Sequence, residues 1–299
     1  MKWDSWFLEE LVAFSSRKAL ELKQIPRSLD RMAEELKSNE TPSFNAPPVI
    51  ETVLGLSFET LEGFSNANLG AYWSALPDDW SEVEDSRPVE RQIERFDKSW
   101  GFRRDLKLTK DPSSRLTIFK KDQSRAIQLQ KNGFDFSWIK TDGAEYPRYE
   151  PVRAEFEAEW EFFVEYLKSR SLGAPVLLQW EITYVNEIRQ GTLWETPDDW
   201  AQIFSSSFGI PWRSTLADLE SFSTNWHFQL PGEQGRLHVH VAHADRDSST
   251  ALMLVLTARG PIRKGDPLTK GLDLGREAIV KYFKEITSEV AHKTWGLEE

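Results

Sequence analysis

Two glutamates interrupt otherwise apolar runs: Glu51 in Pro47–Phe58 (PPVIETVLGLSF) and Glu181 in Ala174–Asn186 (APVLLQWEITYVN). A carboxylate inside an apolar strand is costly unless it is paired or hydrated. Both runs read as buried strands, and the two acids take equivalent places in them. Set side by side across a pseudo-twofold axis, they would face one cavity, where like charge and burial raise one of the two pKa values. The plainer alternative is that each acid accepts hydrogen bonds within its own half of the chain, or pairs with an arginine such as Arg148.

The loop Tyr146-Pro147-Arg148-Tyr149-Glu150 precedes a long helix. An arginine held between aromatic rings and an acid suits bidentate recognition of carboxylate or phosphate. The same residues would equally serve as an Arg–Glu clamp that fixes the start of the helix, with Pro147 preorganising the loop in either case. Tyr184 and Asn186, from the second glutamate's strand, complete a candidate ligand-binding set of Glu51, Glu181, Arg148, Tyr146, Tyr149, Tyr184 and Asn186. His238 and His240, in HVHVAH, are candidate metal ligands. They share one face of a strand, while His243 falls on the other. A hairpin closing on PGEQG puts Val239, not His238, opposite His227, and a one-residue change of register would bring the histidines together. Two imidazoles make a poor zinc site, which takes three or four ligands; histidines on a sheet surface are the simpler account.

The positioning elements follow from periodicity. Residues 3–24 and 28–36 carry helical stripes (Trp6, Phe7, Leu11, Phe14; then Leu29, Met32, Ala33, Leu36) separated by Pro26. With the proline-rich 39–48 they define an N-terminal helical hairpin over residues 1–44, which must dock on the body or on a partner. A first repeat, 45–172, reads as the strand 49–58, a short helix capped by Ser65, strands at 115–120, 125–131 and 134–140, and a helix over 152–170. Asn132-Gly133 joins the last two strands, and Phe156, Trp160, Phe163, Val164 and Leu167 give the helix one buried face. A second repeat, 173–299, repeats the order: strand 175–186, a helix capped by Thr196, strands at 222–230, 236–243 and 250–258, and a helix over 272–293. The predicted fold is α+β: two β-α-β-β-β-α repeats with antiparallel sheets backed by long helices, plus the N-terminal hairpin.

Composition narrows the function classes. Net charge is −11, which disfavours nonspecific binding to a nucleic-acid backbone. The chain has no cysteine, which excludes disulfides, thiolate metal sites and cysteine nucleophiles. No apolar stretch approaches the ~20 residues of a spanning helix, and the N-terminus lacks a signal-peptide pattern, so no membrane association is expected and a cytoplasmic protein is. There is no P-loop, dinucleotide turn or serine elbow, and no cofactor is expected. The 13 Trp and 18 Phe suit thick sheet–helix packing or an aromatic pocket or interface.

Several ordered motifs carry a resemblance: PPVIETVLGLSFETL, LGAYW, AIQLQKNGFDFSWIK, YPRYEP and QWEITYVNEI. Over about residues 45–296 the chain resembles a sporadically distributed group of uncharacterised prokaryotic proteins with PPVxE, YPRYE and ExxYxN motifs. The patchy distribution of that group implies a mobile-element or conflict-system role. The lack of catalytic motifs, the surplus of aromatics and the acidic surface predict a non-enzymatic binding or interaction protein with a protein partner. In the light of the resemblance, it reads as an accessory or immunity component of a bacterial defence or toxin–antitoxin-like system. The alternative is a small-ligand-binding or hydrolytic protein with a carboxylate-lined pocket between the repeats.

Overall fold

The computed structural model describes residues 41–96, 114–208, 219, 221–246 and 249–298. The chain divides into two units, one of Thr41–Glu94 with Ser113–Glu299 and one of Met1–Glu40 with Arg95–Pro112. All the described strands and helices belong to the first of these units. The helical hairpin expected at the N-terminus falls on residues outside those described, whereas residues 41–44 belong to the larger unit.

That unit is built on nine strands in one sheet. In chain order they are β2 (Val49–Phe58), β3 (Trp80–Ser86), β4 (Arg115–Lys120), β5 (Arg125–Gln130), β6 (Gly133–Ile139), β7 (Leu177–Arg189), β8 (Ser223–Gln229), β9 (Arg236–Arg246) and β10 (Ser249–Pro261). Their spatial order is β3-β4-β5-β6-β2-β7-β10-β9-β8, with every neighbouring pair antiparallel. A short ribbon, β1 (Ser43–Phe44) with β11 (Leu297–Glu298), stands apart. The helices are α1 (Asn66–Trp73), α2 (Tyr149–Ser169), α3 (Leu268–Ile286) and α4 (Glu289–Trp295).

This arrangement overturns the expected pair of β-α-β-β-β-α repeats with separate sheets. The two opening strands, β2 and β7, bond to each other at the centre of a single sheet, with Leu54 opposite Ile182 and Gly55 opposite Glu181. Strands buried on both faces belong in the interior of a sheet, and joining there removes the open edge that each would otherwise present. The element order does not repeat either. The helix expected after Thr196 is a 3-10 helix, Pro197–Gln202, although Thr196 does cap it in a capping box with Asp199. The expected terminal helix over 272–293 begins earlier, at Leu268, and breaks at Thr287. Ser288 then caps α4, its Oγ accepting from the Ala291 N–H at 3.1 Å.

Alternation along the strands gives the sheet two different faces. One is apolar and is covered by α2 and α3. Leu54, Leu56, Phe134, Phe136, Trp180, Ile182, Leu254 and Leu256 are all buried there. The expected stripe of α2 holds: Phe156, Phe163 and Leu167 are fully buried, and Phe163 stacks on Phe134 with centroids 5.4 Å apart. Trp180 is packed under α3 in a nest of glycines. A Cβ at Gly271 or Gly275 would collide with the indole, so the helix can approach the sheet only because those positions carry no side chain. The opposite face is polar. It presents Gln130, Asp135, Gln179, Glu181, Thr183, Thr257, Arg259, Arg236, His238 and His240, and several of these are nonetheless buried.

Candidate functional site

On the helix side, α3, the start of α2 and the β1–β11 ribbon line a half-open cavity of about 320 Å³. Five of the seven candidate residues line it: Tyr146, Arg148, Tyr149, Tyr184 and Asn186. Tyr184 and Asn186 arrive from the end of β7, on the face that carries Trp180 and Ile182. Phe44, Val49, Ile279, Val280 and Phe283 supply apolar wall, and Arg276 adds a guanidinium.

Tyr146, Arg148, Tyr149, Tyr184 and Asn186 each have a hydrogen-bond partner, while Glu150 and Glu298 also border the cavity. The Tyr146 and Tyr184 hydroxyls bond to each other at 3.0 Å. The Tyr149 hydroxyl donates to Asp273 Oδ1 at 2.8 Å. Burial pushes the pKa of all three phenols above the ordinary value, with Asp273 adding to the effect at Tyr149. They are neutral hydroxyls at physiological pH, donors rather than bases. Asn186 Nδ2 donates to the Leu254 carbonyl at 2.9 Å. Arg148 neither binds a strand glutamate nor clamps Glu150. Its Nη1 donates to Ser43 Oγ at 3.1 Å and to the Phe44 carbonyl at 2.8 Å, fastening the β1–β11 ribbon over the cavity. Its backbone has φ 75°, a conformation that L residues seldom adopt. A strained backbone beside a cavity, held in place by contacts of its own side chain, fits a site of function. Arg276 differs from the other groups. Its guanidinium lies 5.8 Å from the Tyr149 ring, and its buried Nε has no hydrogen-bond partner among the described residues.

The two strand glutamates do not join this set or each other. Glu181 lies opposite Gly55 and Glu51 opposite Val185, four residues apart along β2, roughly 13 Å at ~3.3 Å per residue. Both are on the polar face, away from the cavity. Glu181 is partly exposed and pairs with Arg259, Nη1 to Oε2, at 3.3 Å. Glu51 is 8% exposed, and burial pushes its carboxyl up to about 7. Matched positions in sequence have therefore become unlike environments, because antiparallel pairing runs the two acids in opposite directions from the contact.

The histidines lie in a second polar cluster. The β8–β9 hairpin closes one residue tighter than expected, so His227 does face His238. Their Nδ1 atoms are 2.7 Å apart, and His238 Nε2 lies 2.7 Å from Glu94 Oε1. Burial, against the pull of Glu94, pushes the His238 imidazole down to about 4. Neutral His238 then donates through Nε2–H to Glu94 and accepts at Nδ1 from His227 Nδ1–H. His240 does not share this contact; its Nδ1 donates to Asn225 Oδ1 at 2.8 Å. Among the described residues no group of three or more potential ligands gathers as a metal site would require.

Sequence reasoning missed Arg276 and the residues around Glu94. Arg276 stands on the apolar-rich helix α3, one turn beyond Leu272 and three residues before Ile279, so its place at the rim of the buried stripe was available as a signal. Glu94 lies in a polar stretch with no periodicity, and nothing local announces its partners.

No family model matches the chain, and no curated protein matches it. Among solved structures, DynU16, a protein of the dynemicin biosynthetic locus, aligns over 82% of this chain and 98% of its own with 13% identity and a TM-score of 0.25. At that score the likeness carries no argument about fold or function. No helix among the described residues is long and apolar enough to cross a membrane.

Proposed function

We propose that this chain is a non-enzymatic binding protein whose cavity takes a small amphipathic molecule with a carboxylate or similar anionic head. One observation carries the reading: the Arg276 guanidinium lines the aromatic cavity against the Tyr149 ring and makes no ion pair among the described residues. A planar donor at an apolar wall is what bidentate recognition of a carboxylate uses. The volume of about 320 Å³ falls at the small end of ligand sites, which are walled by apolar and aromatic groups with few polar ones. In the Tyr146–Tyr184 pair, the hydroxyl that accepts keeps its own proton to donate to the same head group.

The test is thermal unfolding and calorimetric titration with aromatic and aliphatic carboxylates, each beside its primary amide. A carboxylate at about 100 times its Kd stabilises the native state by about 2.7 kcal/mol, a rise in Tm of roughly 5–10 °C for a unit of this size. The amides leave Tm unchanged, and Arg276→Gln abolishes the response without loss of fold. Equal binding of acid and amide, or binding that survives Arg276→Gln, refutes the reading.

The net charge of −11 supports a second proposal, a basic protein partner in a defence or toxin–antitoxin-like system. Affinity purification with the products of adjacent genes tests it. An association that weakens steeply with added salt is the expected outcome, and a chain that elutes alone at low salt counts against it.

A further inference from the structure

The polar face of the sheet is crossed by an extended segment of the same chain, residues 87–94, that forms no strand. Side chains from five strands hold it. Gln130 on β5 reads the main chain at Val89 in both senses, its Oε1 accepting from the N–H at 3.0 Å and its Nε2 donating to the carbonyl at 2.9 Å. Gln179 on β7 repeats the device, accepting from the Glu94 N–H and donating to the Gln92 carbonyl, both at 2.8 Å. Asp135 on β6 takes the Arg91 guanidinium bidentately at 2.9 and 2.5 Å. Glu94 is received by Arg236 and His238 on β9 and by Arg259 on β10.

The floor of this channel is shaped for an arginine. A Cβ at Gly133 would overlap the Arg91 guanidinium, and one at Gly55 would overlap the Asp135 carboxylate. Two adjacent strands therefore carry glycine where the ion pair lies flat on the sheet. Two side-chain amides that read an extended backbone, an acid over a glycine floor and an arginine pair further along make up a receptor for an extended peptide. The charged positions select an arginine and, three residues on, a glutamate. The occupant is held with little apolar burial: Glu90, Gln92 and Ile93 all face solvent. Its departure would leave polar groups that water can serve rather than a stripped core.

We propose that this face is a peptide-binding groove for extended Arg-x-x-Glu segments, filled in cis by residues 87–94 and open to the same sequence in trans. It lies on the opposite side of the sheet from the cavity and is independent of what the cavity binds. The tethered segment competes at an effective concentration on the order of millimolar, so the groove must first be loosened to be seen. A fluorescent peptide with the sequence of residues 87–94 is titrated by anisotropy against the full chain and against its Arg91→Ala/Glu94→Ala variant. The expected result is binding to the variant at least ten-fold tighter than to the wild type, lost again when Arg259→Ala is added or when the peptide carries glutamine for its last glutamate. A folded variant that ignores the peptide, or binds both peptides equally, overturns the proposal. Should the variant fail to fold, hydrogen exchange of the wild type decides. Residues 87–94 are expected to exchange by local opening well ahead of β6 and β7, and exchange only on global unfolding overturns the groove equally.

Discussion

Glu51 is a carboxylic acid at the centre of a sheet, with no ion pair among the described residues, and its carboxyl sits at about 7 instead of the ordinary 4.5. The unfolded chain then ionises at lower pH than the native one, so this residue's contribution to stability is fully present below pH 4.5 and is lost as pH rises through 7. At ~1.36 kcal/mol per pH unit the gap is worth about 3 kcal/mol. Glu51→Gln is expected to raise stability at pH 8 by up to that amount and to leave it nearly unchanged at pH 4, as read by urea unfolding at the two values. Arg148 illustrates a different balance. Its positive φ costs about 1–3 kcal/mol, and its two bonds to the ribbon offset part of that cost. Arg148→Gly relieves the backbone while untying the ribbon, so Tm should move by only a few degrees while affinity for the proposed carboxylate ligand falls.

At the scale of elements, packing is set by where side chains are missing as much as by where they are large. Gly271→Ala drives a methyl group into Trp180, and overpacking of this kind costs roughly 1–3 kcal/mol. Phe163→Ala empties a site shared by Phe58, Phe64, Tyr72, Phe134 and Trp160 and is expected to cost about 3–5 kcal/mol by chemical denaturation. The segment over the polar face responds to acid. Burial by itself would raise the Glu94 carboxyl, but His238, Arg259 and Arg236 outweigh it and hold the carboxyl below the ordinary value. The His238 imidazole is depressed from 6.5 to about 4. Both shifts give stability that is lost as pH falls. Protection factors for residues 87–94 should therefore drop between pH 6.5 and 4 by more than those of β6 and β7.

For the molecule as a whole, the pairing of β2 with β7 makes the sheet one cooperative body. A boundary near residue 172 would cut its central contact and expose the whole edge of β2. A fragment of residues 41–172 is expected to aggregate or remain unfolded. A dispersed amide spectrum from that fragment would contradict this. The full chain should lose β7 and β6 signals in the same urea transition.

Local features of the fold were legible in the sequence because they depend on local chemistry. The stripe of α2, the Thr196 cap, the β5–β6 hairpin within a residue, and the doubly buried character of β2 and β7 all follow from spacing and residue type. The convergence of Tyr146 and Tyr149 was legible too, because both flank Arg148 in one short loop; with Tyr184 they line the cavity. How two central strands join is a matter of which open edges meet, and neither run encodes that alone. The tertiary structure therefore decided that the halves share one sheet, that Glu51 and Glu181 part company, and that Arg276 borders the cavity. It also decided that an aperiodic stretch around Glu94 lies across the polar face, because its partners are spread along the chain from Gln130 to Arg259 and meet only when the sheet is formed.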